Sequence, residues 1–266
     1  MSTTRPTRRR PAGRAVLITG ATRGIGAEIA RAFARAGERL ALTGRDPEAL
    51  DRIANACREL GGEVVFAATY DLAQRDQVAA LARDVRERLG GVDVLINNAG
   101  VGSRVDLRSV MEFDPAFWDT TLALNLTAPF LLCRALVPDM VRARYGRVIN
   151  VASINGRVPS PHSAAYVTSK HGLIGFTRVL ALEVAEHGVT VNALCPGPVD
   201  VGDDRRIAFD AQRSGRTVAE LEAAATPMGG RLAPADIAPL ALFLASDGAS
   251  SLTGQAINVD RGLVMS

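Results

Sequence analysis

Lysine is almost missing from this chain: of its 31 Lys+Arg residues, all but Lys170 are arginine. A sequence that uses guanidinium everywhere else and keeps one ammonium marks a position that needs a compact point charge, because the two cations do not replace each other. Cysteine is scarce as well. Cys57, Cys133 and Cys195 are odd in number, far apart and in neither a C-x-x-C nor a metal-ligand spacing, which excludes a disulfide scaffold and predicts no metal centre. They read as buried thiols of a reducing compartment, so a cytoplasmic location is expected. No apolar run reads as long enough to cross a bilayer, and the paired arginines near the start lack the apolar segment of an export signal.

Acid is missing from the first fourteen residues, which hold Arg5, Arg8, Arg9, Arg10 and Arg14; setting those five aside takes the formal net charge from +3 to about −2. The tail 1–13, rich in Arg, Thr and Pro with no apolar face, is expected to be disordered. A near-neutral body argues against a nucleic-acid-binding protein. The partner expected is a small molecule, with neither nucleic acid nor membrane.

What the chain does have is the composition of a globular domain, 47% hydrophobic and 22% charged over 266 residues, which suits one large α/β core. Short apolar runs alternate with helical patterns. Strands are expected at Ala15 to Thr19, Leu40 to Thr43, Glu63 to Ala68, Val92 to Ile96, Arg147 to Val151, Val189 to Leu194 and Ala256 to Val259. Helices are expected at Pro47 to Leu60, Gln74 to Leu89, Pro115 to Val141, Ser163 to Ala185 and Pro234 to Ala245, with a polar segment from Asp200 to Met228 interrupting the rhythm. Such alternation predicts an α/β fold, a doubly wound parallel sheet with helices on both faces, forming a single domain over 14–266.

Ligands of an open parallel sheet sit at the carboxyl ends of its strands, and the residues with chemistry collect there. After the first strand comes Gly20-Ala21-Thr22-Arg23-Gly24-Ile25-Gly26, then a helical pattern. A glycine turn at that place lets backbone approach a pyrophosphate and aims helix N–H groups at it. Asp71 and Leu72, then Asn98-Ala99-Gly100, then Ser153, then Pro196-Gly197-Pro198-Val199 each follow a strand, and Asn125 lies in the long helical stretch. Tyr166 and Lys170 are four apart on one helix face, so the ammonium is positioned to draw the phenol toward phenolate. His162, four residues before Tyr166, is placed to reach the same cleft.

Together these motifs resemble the short-chain dehydrogenase/reductase family, with a Rossmann-type fold, from about Arg14 to the end, and within it the 3-oxoacyl-(acyl-carrier-protein) reductases. The resemblance implies hydride transfer between nicotinamide and a ketone or secondary alcohol. It implies that Tyr166 transfers the proton, Lys170 also bonds the nicotinamide ribose, Ser153 polarises the substrate oxygen and Asn125 anchors a relay water. Asn155 and His162 join Ser153 and Tyr166 around the substrate, and the segment 200–228 is the substrate lid. A homo-oligomer, tetramer or dimer, is implied through the helices at 115–141 and 163–185, whose apolar surplus includes Phe130, Phe176 and Val179. Two departures stand out. Val201 occupies a place where many relatives have threonine, and Arg261 one where they commonly have glycine, so Arg261 is expected in a conformation open to a side chain.

The second strand ends Leu42-Thr43-Gly44-Arg45. NAD-preferring folds carry a carboxylate there; here Gly44 leaves room, and Arg45 with Arg23 offers two guanidiniums to a 2′-phosphate. NADP(H) is the expected cofactor, with NAD(H) open. The alternatives are an NAD-dependent hydroxyacid or sugar dehydrogenase, and a catalytically silent dinucleotide-binding sensor or scaffold.

Overall fold

Side-chain alternation along the first strand builds both sides of the fold. In β1 (Ala15–Thr19) the side chains of Val16 and Ile18 join one buried cluster, and those of Ala15 and Leu17 the other, as a period of two requires. The computed structural model describes residues 13–265, so the tail expected at 1–13 lies outside them except for Gly13. The chain continues through α1 (Gly24–Arg35), β2 (Arg39–Gly44), α2 (Pro47–Glu59), β3 (Glu63–Thr69), α3 (Arg75–Leu89) and β4 (Val94–Asn97). It then forms α4 (Pro115–Leu122), α5 (Ala128–Ala143), β5 (Gly146–Val151), α6 (Ala164–Val184) and β6 (Val189–Pro196). Two short helices, α7 (Arg205–Ser214) and α8 (Val218–Ala223), precede α9 (Ala238–Ala245) and β7 (Ala256–Val259).

These strands form one parallel sheet in the order β3-β2-β1-β4-β5-β6-β7. This is the doubly wound Rossmann-type architecture expected. Phe33 of α1, Leu50 of α2 and Leu244 of α9 pack with Val16 and Ile18 on one face. Leu81 of α3, Leu136 of α5 and Val184 of α6 pack with Leu17 on the other. The strand order reverses between β1 and β4, where crossovers leave for opposite faces and a crevice opens at the carboxyl edge.

Two sequence expectations need correction. The helix expected to run unbroken over 115–141 contains a π-helical turn at Ala123–Thr127. Pro129 lies four residues after Asn125 and has no N–H, so the Asn125 carbonyl loses its α-helical donor and the proline ring crowds it; the helix widens there, as it often does at functional sites. Secondly, the 29-residue run Pro115–Ala143 contains an 18-residue window of mean hydropathy 1.4, long and apolar enough to cross a bilayer. Half of its apolar window is buried, with Leu132, Leu136 and Met140 packed on the sheet. The polar segment 200–228 supplies α7 and α8.

Candidate functional site

The glycine turn is laced to the end of β4. The Thr19 hydroxyl accepts from the backbone N–H groups of Asn98 and Ala99, both at 3.0 Å, and donates to the Ile96 carbonyl at 3.3 Å. The Asn98 amide donates to the carbonyls of Thr19 and Gly20 at 3.0 Å each. Thr19 was not singled out in the sequence, where it reads as the last residue of a strand. At two positions the turn has no room for a side chain: a β-carbon on Gly26 would stand 2.1 Å from the Gly20 carbonyl oxygen, and one on Gly20 2.8 Å from the Ala99 Cα. Gly20 at φ 66° and Gly24 at φ 55° are left-handed, a region glycine enters without strain.

Behind this turn, α1 begins with neither a side-chain cap nor an acid in its first turn. Its free N–H groups and positive dipole end are open to an anion. A cavity of about 450 Å³ lies in front, lined by Gly20, Thr22, Gly24, Ile25 and Gly26, by Leu72, and by Asn98, Ala99 and Gly100. These residues fit a dinucleotide. Arg23 and Arg45 line the same end, are exposed, and among the described residues pair with no carboxylate. The neighbouring Asp46 carboxylate is committed to capping α2 through the Ala49 N–H at 3.0 Å. Asp71 does not line the cavity, unlike its neighbours Tyr70 and Leu72. Its carboxylate accepts from the Ala73 N–H at 3.1 Å, a local turn at the end of β3.

A second cavity, about 560 Å³, shares Ile25, Asn98, Gly100 and Arg104 with the first, so the two form one cleft. It gathers Ser153, Asn155, Tyr166 and Lys170 with Pro196, Gly197 and Val199. Ser153 caps the 3₁₀ turn Ile154–Gly156, its Oγ accepting from the Asn155 N–H at 3.1 Å. Lys170 is 5% exposed, donates from Nζ to the Val151 carbonyl at 2.7 Å and stands 5.8 Å from the centre of the Tyr166 ring. Burial brings its ammonium down to about 8. Burial also raises the Tyr166 phenol, while a hydrogen bond with Ser153 and then the Arg104 guanidinium draw it back. Two cations therefore stand by the phenol: Lys170 near its ring, as the spacing predicted, and Arg104, which lines the same cleft. Lys170 is desolvated, and its ammonium is engaged by the Val151 carbonyl.

Asn125 clamps the loop after β4. Its Oδ1 accepts from the Val101 N–H at 2.9 Å, and its Nδ2 donates to the Val101 carbonyl at 3.0 Å and the Ser169 hydroxyl at 3.1 Å. Both amide hydrogens are spent, so a water held by this residue would meet its main chain. Ser169 donates in turn to the Tyr166 carbonyl at 2.7 Å, which ties Asn125 to the helix that carries the phenol.

His162 falls outside the cleft. It precedes α6 with φ 55° and packs edge-on against Phe209 of α7, ring centres 5.3 Å apart, so the helical spacing that aimed it at the cleft does not apply. In the lid, Arg206 lines the cleft but is committed, with Nε to Asp210 at 2.8 Å and Nη1 to the Ser163 hydroxyl at 2.7 Å. Val201 faces both cavities over the glycine turn. Arg261 is left-handed at φ 52°, against the expectation of a conformation comfortable for a side chain. Its guanidinium donates to the carbonyls of Gly229 and Arg231 at 3.0 Å each and to Asp236 at 3.2 Å.

Residues 14–210 match the family model described as short chain dehydrogenase. The chain is 36% identical over 252 residues to the D-beta-hydroxybutyrate dehydrogenase of Rhizobium meliloti (strain 1021), covering 92% of this chain and 96% of the relative. It is 33% identical over 247 residues to the 3-oxoacyl-(acyl-carrier-protein) reductase of Chlamydia trachomatis serovar D, covering 93% and 96%. A crystal structure of a variant of actinorhodin polyketide ketoreductase with NADPH superposes with a TM-score of 0.86 at 35% identity, over 94% of this chain and 97% of that one.

Proposed function

This chain belongs to the short-chain dehydrogenase family, and from that premise we propose that it is an NADP(H)-dependent oxidoreductase interconverting a ketone and a secondary alcohol through Ser153, Tyr166, Lys170 and Asn125. The observation that carries the reading is the convergence of Ser153, Tyr166 and Lys170 in a cleft continuous with the glycine turn and the uncapped start of α1.

When bound, the nicotinamide would supply or accept the hydride. The chain supplies orientation and the proton. Ser153 bonds the phenol and is positioned to share a substrate oxygen with it. Burial keeps Tyr166 protonated at neutral pH, so in the reducing direction it donates its proton to that oxygen, and in the oxidising direction its phenolate takes the proton back. Lys170 holds the end of β5 through Val151 and places a partly titrated amine beside the phenol. Asn125 fixes the loop between them. The two unpaired guanidiniums of Arg23 and Arg45, with Gly44 in the place of an acid, support a 2′-phosphate. The relatives are named for 3-oxoacyl compounds and a hydroxy acid, which makes those the substrate classes to try first. We also propose that copies associate through α5 and α6, where Phe130, Val179 and Leu182 are 44%, 56% and 84% exposed.

The test is a panel of 3-oxoacyl thioesters and esters, hydroxy acids and simple alcohols, followed by nicotinamide absorbance with both cofactors. Folded protein that binds NADPH yet turns over none of them would leave the silent binder as the better account.

A further inference from the structure

We propose that Arg104 is a positioning residue of this reaction, whose ion pair with Asp203 holds the lid across the cleft and keeps a guanidinium beside Tyr166. The inference rests on the function given above. Arg104 lies in the loop after β4 and lines the cofactor end, the reaction end and a third cavity of about 670 Å³ bordered by α7. It is the residue on which the three spaces meet.

Asp203 stands on the lid just before α7, 99 residues away in sequence, and accepts from Arg104 Nε at 2.9 Å. The two side chains are 23% and 16% exposed, so the pair is partly withdrawn from solvent screening. Arg205 grips the same carboxylate at 3.0 and 2.7 Å. Arg205 first, and Arg104 after it, hold Asp203 well below the usual carboxylate range, so the latch stays ionised at any working pH. Two guanidiniums on one carboxylate leave net positive charge at the cleft wall.

The Tyr166 phenol lines the same cleft as Arg104, with Lys170 Nζ 5.8 Å from its ring centre. Around Tyr166 stand Ser153 after β5, Cys195 on β6, which pushes the phenol up, and Lys170 on its own helix. From the lid, Arg206 and Asp210 line the cleft as a closed pair at 2.8 Å. Other bonds also anchor the lid, including Arg231 to Asp204 at 2.9 Å and Arg206 to Ser163. Breaking the Arg104 pair therefore frees the cleft-facing edge without detaching the whole segment.

The two partners give opposite signatures at the phenol. Arg104→Gln removes both the latch and the charge; Asp203→Asn removes the latch and leaves the guanidinium less neutralised. The chain has three tyrosines, so the Tyr166 phenol can be titrated by ultraviolet absorption as the difference from Tyr166→Phe. We expect Arg104→Gln to raise that midpoint by about 0.5 or more, and Asp203→Asn to leave it at or below wild type, while both raise the substrate KM several-fold. Arg104→Lys should restore the midpoint and not the KM, because an ammonium keeps the charge but not the fork. An unmoved midpoint in Arg104→Gln, or a rise in Asp203→Asn, or an unchanged KM in both, overturns the proposal. Should Arg104→Gln fail to fold, the Asp203→Asn midpoint and the Arg104→Lys KM decide in the same way. The midpoint is read without turnover, so a failure of the proposed reaction stays distinguishable from a failure of this inference.

Discussion

The methyl of Thr22 occupies the space that a β-carbon on Gly44 would take, at a separation of 2.3 Å. Gly44 is the last residue of β2, where a ribose-binding carboxylate stands in NAD-preferring folds. Threonine and glycine are thus packed as a pair, and an acid cannot be installed without moving Thr22. Arg45→Ala should weaken NADPH by about 1.5 to 3 kcal/mol through a lost charged hydrogen bond. Adding Gly44→Asp should bring a gain for NADH only when Thr22→Ser removes the methyl. The ratio of kcat/KM for the two cofactors reads this, and a wild-type protein faster with NADH than with NADPH would show the assignment to be wrong.

Tyr166→Phe should abolish turnover and leave NADPH binding within about twofold, since the ring stays and only the proton donor goes. Lys170→Arg should fail for a different reason. Lys170 is buried with its ammonium on the Val151 carbonyl, and a guanidinium does not fit that compact pocket. Fluorescence titration with NADPH beside initial rates separates the two, and near-wild-type rates in either variant would remove the residue from the proton path.

The strands, the glycine turn and the Tyr166–Lys170 face were legible because each rests on short-range periodicity or on one residue type. Asn125 was legible as a site but not as a clamp. The break that re-aims it follows from Pro129, four residues on, whose missing N–H is written in the sequence and whose effect was not drawn from it. His162 was misplaced because helical spacing was extended two residues beyond the start of α6 at Ala164. The Asp71 carboxylate bonds within its own turn, and that competition between local and distant partners is invisible from spacing. Arg104 had no signal at all. Its role depends on Asp203 across a cleft that exists only once the sheet and lid have formed.

Alkaline pH should destabilise the protein through its buried thiols. Cys57 and Cys195 are pushed up to about 11 and Cys133 to about 12, mainly by burial. Groups raised on folding stabilise fully below their unfolded value, 9.0 here, and that stability is lost as pH rises toward the folded value. Lys170, lowered from 10.5 to about 8 by burial, works the other way and is relieved over that interval. Three thiols outweigh one amine. Denaturant unfolding should lose about 2 kcal/mol per thiol between about pH 8 and about pH 10.5, offset in part by Lys170. A variant with all three cysteines changed to alanine should show a flatter profile from a lower starting stability, and an unchanged slope would refute the cause.

Arg261 sets conformational strain against hydrogen bonds, and substitution can separate the two. At φ 52° it occupies backbone that glycine enters freely, yet its guanidinium reaches Gly229, Arg231 and Asp236. Gly229 and Gly230 are themselves left-handed, at φ 82° and 64°, and follow the lid, so Arg261 fixes the hinge on which the lid ends. Arg261→Ala keeps the strain and loses the bonds, and should cost about 2 kcal/mol. Arg261→Gly loses the same bonds but relieves the strain, so it should be about 1 kcal/mol more stable than the alanine variant. In both, a looser hinge should raise the substrate KM while NADPH binding, made at the far end of the cleft, is unchanged. Thermal unfolding with substrate and cofactor titrations checks this. A glycine variant more stable than wild type with an unaltered KM would mean that the three bonds contribute nothing to the lid.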